Sequence, residues 1–263
     1  MLDLGEYLVK PSALNKPEQI ILYGKPGGGK SWLAASASLV EELSPVLIID
    51  TEGSTAGTVA GFPDENLDIL PITVTPEDLE QFDEVTDAVR DEIRFQKFNQ
   101  IVQALVDQKH KYKTVIIDTL DVAQTWAEGH FKRNAPITKN GERNTLAAYG
   151  ELKEWTIKLV RNLKGGPFLS ILVYHESIEK SETGAMVSEI TMVGSAKAVV
   201  PGIPDIVGRV KRYVDDETEK EVTEVFFGSG GDQAATKNRF TLPVVMLDPT
   251  MQVIMNEIKE NNK

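Results

Sequence analysis

The chain has no cysteine, which excludes a disulfide framework, a thiolate metal site and a cysteine nucleophile. Its three histidines, His110, His130 and His175, stand too far apart in sequence to suggest a zinc site. No apolar run approaches the roughly 18 residues needed to span a bilayer. The opening stretch, MLDLGEYLVKPSALNKPEQ, lacks the basic and apolar regions of a signal peptide. The expectation is a cytoplasmic protein with no membrane contact. An overall basic excess is also lacking, since the net charge is −12, at first sight unfavourable for a nucleic-acid partner. The distribution qualifies that. Residues 76–92 (PEDLEQFDEVTDAVRDE) carry −7 and residues 215–221 (DDETEKE) carry −4. Elsewhere the chain is near neutral, which leaves room for a local basic face.

What remains is ordinary globular material. The 263 residues are 41% hydrophobic and 26% charged, enough for one large α/β domain. Four short apolar runs read as buried strands: residues 19–24 (QIILYG), 46–50 (VLIID), 114–118 (TVIID) and 169–174 (LSILVY). Residues 67–74 are a further candidate. Helical patterns fall at 31–43, 76–109, 122–132 and 146–163, and a short amphipathic helix is expected from residue 251. Residues 210–214 and 222–227 flank DDETEKE like a hairpin. Strands apolar on both faces and alternating with helices predict a three-layer α/β fold with a mostly parallel sheet between helices. The expected organisation is a leader at 1–17, one core at 18–248 and a helical tail at 249–263.

The strongest chemical signal is Gly24-Lys25-Pro26-Gly27-Gly28-Gly29-Lys30-Ser31, which fits G-x-x-x-x-G-K-[ST] between a strand and a helix. Glycines let successive backbone N–H groups turn inward onto phosphate oxygens, and the helix that follows adds its positive end. Lys30 reaches the β- and γ-phosphates, and the Ser31 hydroxyl suits Mg²⁺. The cofactor-binding stretch is taken from Gly24 through Trp32, with ATP and Mg²⁺ as cofactors. The metal also needs a strand-end carboxylate, for which Asp50 and Asp118 are candidates. If Asp50 served, its strand would lie beside the phosphate-loop strand. If Asp118 serves, Glu52 is placed to polarise the attacking water. The second assignment is preferred.

With those residues in view, the chain resembles the RecA-like ATPases, and most closely the small phage-encoded recombination proteins implicated in single-strand annealing. The likeness spans roughly residues 18–245. It rests on the phosphate loop, on Asp50-Thr51-Glu52-Gly53, on Val115-Ile-Ile-Asp118-Thr119, on a strand ending at His175, and on Ala235-Thr-Lys237-Asn-Arg239-Phe. The resemblance implies a three-layer RecA-like core, a homo-oligomeric ring or filament, and work in the cytoplasm of a bacterial host. It makes Glu52 the water-activating residue, Asp118 the metal-side acid and Thr119 the hydroxyl beside it. His175 takes the position of a γ-phosphate sensor, where glutamine is usual. Lys237 and Arg239 match cations that reach a neighbouring subunit's γ-phosphate, stabilising transition-state charge in trans.

The resemblance also implies that single-stranded DNA is held by the loops at 133–144 and 176–194. Lys132, Arg133, Lys139 and Arg143 suit phosphate contacts, and Met186 and Met192 can wedge between bases. Neither loop offers an aromatic stacking platform. A single-strand-binding protein is a further expected partner. Two alternatives stay open. Lys25, five residues before Lys30, matches the deviant phosphate loops of dimeric partition-type ATPases, although Pro26 stands where those loops have glycine. A nucleotide-gated module that recruits a partner without useful turnover is the other. A small-molecule kinase is a more remote reading.

Overall fold

The computed structural model describes residues 16–107, 109–180, 184, 186–228 and 235–261. Residues 1–15 of the expected leader lie outside them. In chain order the elements are β1 (Gln19–Gly24), α1 (Lys30–Ala35), β2 (Val46–Asp50), α2 (Thr55–Val59), β3 (Leu67–Pro71), α3 (Pro76–Leu79), α4 (Asp87–Asp107), β4 (Thr114–Asp118) and α5 (Leu120–Asn134). There follow α6 (Thr145–Lys164), β5 (Leu169–Lys180), β6 (Met186–Ile190), β7 (Ile206–Val214), β8 (Glu221–Phe226), β9 (Lys237–Asn238), β10 (Val245–Leu247) and α7 (Met251–Asn261).

Because side chains alternate across a strand, a run such as Ile20-Ile21-Leu22-Tyr23 serves two cores at once. Ile20 and Leu22 pack with Leu33 of α1 and with Met251, Ile254 and Ile258 of α7. Ile21 and Tyr23 face Phe98 of α4, Ala123 of α5 and Leu152 of α6. The same division holds for Ile116 against Val115 and Ile117 in β4. The sheet between these layers runs β10-β8-β7-β1-β5-β4-β2-β3. From β7 to β3 it is parallel, and β8 and β10 extend it antiparallel. This is the mixed α/β architecture of a phosphate-loop NTPase, as the strand pattern predicts. Among the described residues, no helix is long and apolar enough to cross a membrane.

Four local expectations need correction. The helix read at 31–43 is only α1 followed by a 3-10 turn at Ser36–Leu39. Ser36 Oγ donates to the Leu33 carbonyl at 2.6 Å and Ser44 Oγ donates to that of Ser38 at 2.7 Å, competing with helical pairing. The helix read at 76–109 breaks in two. Thr75 caps α3 through a capping box, and the Thr86 hydroxyl accepts the Val89 N–H at 3.3 Å to start α4 afresh. The strand read at 67–74 stops at Pro71, which has no N–H to give to a ladder. Lastly, 176–194 is no simple loop. β5 runs six residues past Tyr174 and pairs antiparallel with β6, Glu176 opposite Ile190 and Lys180 opposite Met186. Residues 181–183 and 185 lie outside the described residues.

Candidate functional site

At the first glycine of the run nothing larger fits. A Cβ on Gly24 would stand 2.0 Å from the Val210 carbonyl oxygen of β7. Gly27 and Gly29 have φ of +73° and +90°, the left-handed region that glycine enters without strain. The turn is closed by the Gly28 N–H donating to the Lys25 carbonyl at 3.1 Å. α1 then begins at Lys30, whose side chain is buried and curls back, Nζ donating to the carbonyls of Gly24 (2.9 Å) and Lys25 (2.8 Å). Burial pulls the Lys30 ammonium below its ordinary pKa, while Asp118, Asp121, Glu52 and Glu176 work in the opposite direction. With only six residues in α1, anion recognition falls mainly to the loop's own N–H groups.

Strand order separates the two candidate acids. β5 stands between β1 and β4, and β2 lies beyond β4, so Asp50 is on the third strand from the phosphate loop. Its carboxylate is occupied in holding its own turn, accepting the N–H groups of Glu52 (3.1 Å), Gly53 (2.8 Å) and Thr55 (3.1 Å). Asp118 ends β4, is buried, and bonds the hydroxyls of Ser31 and Thr55, the latter at 3.2 Å. Burial raises its pKa, the two hydroxyls oppose that, and the charges of Glu52 and Asp50 add to it. Ser31 and Asp118 thus present two adjacent hard oxygen donors. That set fits Mg²⁺, which keeps waters and phosphate oxygens for its other positions. Among the described residues no three His, Asp or Glu side chains form a self-sufficient metal cluster.

Glu52 faces the same space. Its Oε1 accepts the Thr119 hydroxyl at 3.1 Å and lies 3.5 Å from His175 Nε2. His175 stands directly beside Gly24 in the β1–β5 ladder. Its Nδ1 is 2.9 Å from Asp121 Oδ2, and its N–H donates to Asp121 Oδ1 at 3.1 Å. Pro26 to Trp32, Glu52, Asp118, Thr119 and His175 together line a cavity of about 700 Å³. The far wall comes from Arg212 and Glu221, an ion pair at 2.6 Å, with Thr223, Asp248 and Pro249. Trp32 is 43% exposed there and its ring lies 5.8 Å from that of Phe62. A cavity of about 770 Å³ also opens at the opposite end of the sheet, but its Lys113 and Lys259 are already bonded to Glu41 and Glu42.

Other predicted residues lie elsewhere. β9 pairs with Ile206 and Val207, level with the amino end of β1 and away from the phosphate loop. There Lys237 Nζ donates to the Gly202 carbonyl, and Arg239 pairs with Asp205 at 2.8 Å. Burial, then the nearby Arg239 and Lys164 charges, lower the Lys237 pKa. Within one chain these two cations do not enter the cavity. Of the expected DNA contacts, Lys132 pairs with Glu128 (2.6 Å) and Arg133 with Glu92 (2.7 Å). The Arg143 guanidinium donates to the Ala135 carbonyl at 2.9 Å, and Lys139 is exposed on a short turn bridged by Ile137 and Arg143. Arg133 belongs to α5, not to a loop. Sequence reasoning missed Asp121, Thr55 and the Arg212–Glu221 wall. Asp121 looks like any acid in a helix's first turn, and only strand order brings it to His175.

A parallel sheet carrying a glycine-rich loop, a buried lysine and a strand-end carboxylate defines a phosphate-loop nucleotide-binding protein. The family model described as an AAA domain matches residues 16–240, and the chain belongs to that family of nucleotide-binding ATPases. No curated protein matches the chain.

Proposed function

We propose that the chain is a Mg²⁺-dependent ATPase on the RecA-like plan. In this reading it acts on single-stranded DNA in phage recombination, annealing or replication, as a ring or filament in the bacterial cytoplasm. The observation that carries it is the convergence of Lys30, Ser31, Asp118 and Glu52 on one cavity. Lys30 leaves its two backbone carbonyls for the β- and γ-phosphates. Ser31 and Asp118 would hold Mg²⁺, which supplies charge neutralisation at the phosphates. Glu52, its carboxylate steadied by Thr119, orients water for in-line attack and accepts its proton.

The decisive measurement is phosphate release with and without single-stranded DNA across protein concentration. DNA stimulation that steepens with concentration supports both the partner and cations acting in trans; a flat response refutes both. Lys30→Ala is expected to abolish nucleotide binding. Glu52→Gln keeps an oxygen for the Thr119 hydroxyl, so it should bind ATP normally and hydrolyse it about 10²–10⁴-fold more slowly. Turnover at the wild-type rate would remove Glu52 from its role. A second reading is favoured by Lys132, Arg133 and Arg143, all held by partners within the chain. It is a nucleotide-gated module that recruits another protein, for which DNA leaves turnover unchanged.

A further inference from the structure

Asp121 binds neither phosphate nor metal in the proposed ATPase, yet it is 8% exposed and spends both carboxylate oxygens on His175, 54 residues away. Oδ1 accepts the backbone N–H of His175 and Oδ2 meets Nδ1. An ionised carboxylate only accepts, so its contact assigns a proton to Nδ1. The other ring nitrogen, Nε2, is then the atom turned toward Glu52 Oε1, 3.5 Å away. A histidine has two distinct nitrogens and needs a partner to choose between them. The main-chain bond fixes where the residue sits, and the side-chain bond fixes the ring's rotation.

We propose that Asp121 is a positioning residue. By gripping His175 at two points it keeps a proton on Nδ1 and fixes the ring's rotation, so that Nε2 faces Glu52 in the cavity. The proposal rests on the ATPase reading for its catalytic consequence, but the geometry it invokes can be tested without turnover.

The test uses the full chain with Asp121→Asn, His175→Ala and the double variant. Asparagine keeps a carbonyl oxygen for the His175 N–H but offers Nδ1 a donor in place of an acceptor, moving the ring proton to Nε2. Steady-state phosphate release should show kcat lowered roughly tenfold to hundredfold, the range for partners that orient a catalytic group, with the ATP KM unchanged. In the His175→Ala background, Asp121→Asn should lower kcat no further. That arm separates positioning from a direct field of Asp121 on Lys30, which would persist without the imidazole. Nitrogen-15 NMR, with His175 assigned from the spectrum of His175→Ala, should show Nδ1–H in the wild type and Nε2–H in Asp121→Asn. The same tautomer in both proteins overturns the proposal, as does an equal loss of kcat in both backgrounds. If the wild type hydrolyses no ATP, the ATPase reading falls and the NMR comparison alone decides the positioning.

Discussion

Replacing Gly24 by alanine tests whether the sheet itself dictates the first residue of the phosphate loop. The added Cβ would lie 2.0 Å from the Val210 carbonyl oxygen and 3.1 Å from its carbon, whereas real Cβ contacts essentially never fall below 3.0 Å. Both sides are backbone, so relief requires β1 and β7 to separate by about 1 Å where Tyr23 faces Arg209. Overpacking of this kind costs about 1–3 kcal/mol, and each ladder hydrogen bond lost adds about 1 kcal/mol. With one such bond lost, a total of about 2–4 kcal/mol would lower the unfolding temperature by about 4–16 °C in a chain of this size. Gly27→Ala is the control. Nothing lies within 4 Å of its added Cβ, but its φ is +73°, so the cost is about 1–2 kcal/mol of left-handed strain. Circular dichroism melts without nucleotide should therefore rank wild type above Gly27→Ala, and Gly27→Ala above Gly24→Ala. A Gly24→Ala protein that melts within about 2 °C of wild type, less than 1 kcal/mol, would refute the claim that β7 closes on the loop.

Trp32 is half exposed on the cavity wall, so ATP should quench its fluorescence, and the response should vanish in Trp32→Phe. Trp32→Ala should weaken ATP about tenfold, or ~1.4 kcal/mol of lost stacking, while leaving inorganic tripolyphosphate untouched in calorimetry. Burial holds the folded Asp118 pKa above the ordinary 3.8, so the folded state binds this proton more tightly than the unfolded chain. Stability from this group is therefore present at low pH and lost as pH rises from 3.8 through the folded value. Asp118→Asn should flatten that slope in melts taken from about pH 4 upward. It should also raise the nucleotide-free melting temperature by about 2–4 °C, near 1 kcal/mol, while eliminating phosphate release.

The phosphate loop was legible because its chemistry is local: eight consecutive residues carry the turn, the lysine and the hydroxyl. The buried strands were equally legible from their apolar runs. The choice between Asp50 and Asp118 was not local. Each closes an identical apolar-apolar-apolar-Asp pattern, and what distinguishes them is that β5, encoded more than fifty residues after Asp118, inserts between β4 and β1. Once it does, Asp118 meets Ser31, and Asp50 is left to cap its own loop. The β5–β6 ribbon stayed hidden because polar residues such as Glu176 and Ser188 lie inside it, Ser188 donating to Glu176 at 2.6 Å. That carboxylate also holds the buried Arg209 at 2.9 Å. Internal pairing there makes a polar stretch look like a loop.

The same non-locality bears on oligomerisation. Among the described residues lining the cavity, the basic side chains besides His175 are Lys30, which the proposed ATPase would spend on the phosphates, and Arg212, already paired with Glu221. A dissociating γ-phosphoryl group spreads negative charge over three oxygens, and a further cation is the usual means of stabilising it. Lys237 and Arg239 sit at the other end of the sheet, tied to Gly202 and Asp205. Through Val207, Lys237 stands level with Ile21, three residues or about 10 Å of extended strand before Gly24, and its ammonium is turned to the Gly202 carbonyl. If these cations serve hydrolysis, they serve a second molecule's cavity, and one chain carries the two halves of the site on opposite faces. Head-to-tail contact repeats such an arrangement indefinitely or closes it into a ring; it does not end in a two-fold dimer. Sedimentation with ATP bound to Glu52→Gln therefore discriminates directly, because a closed dimer would leave Lys237 and Arg239 with no phosphate to reach.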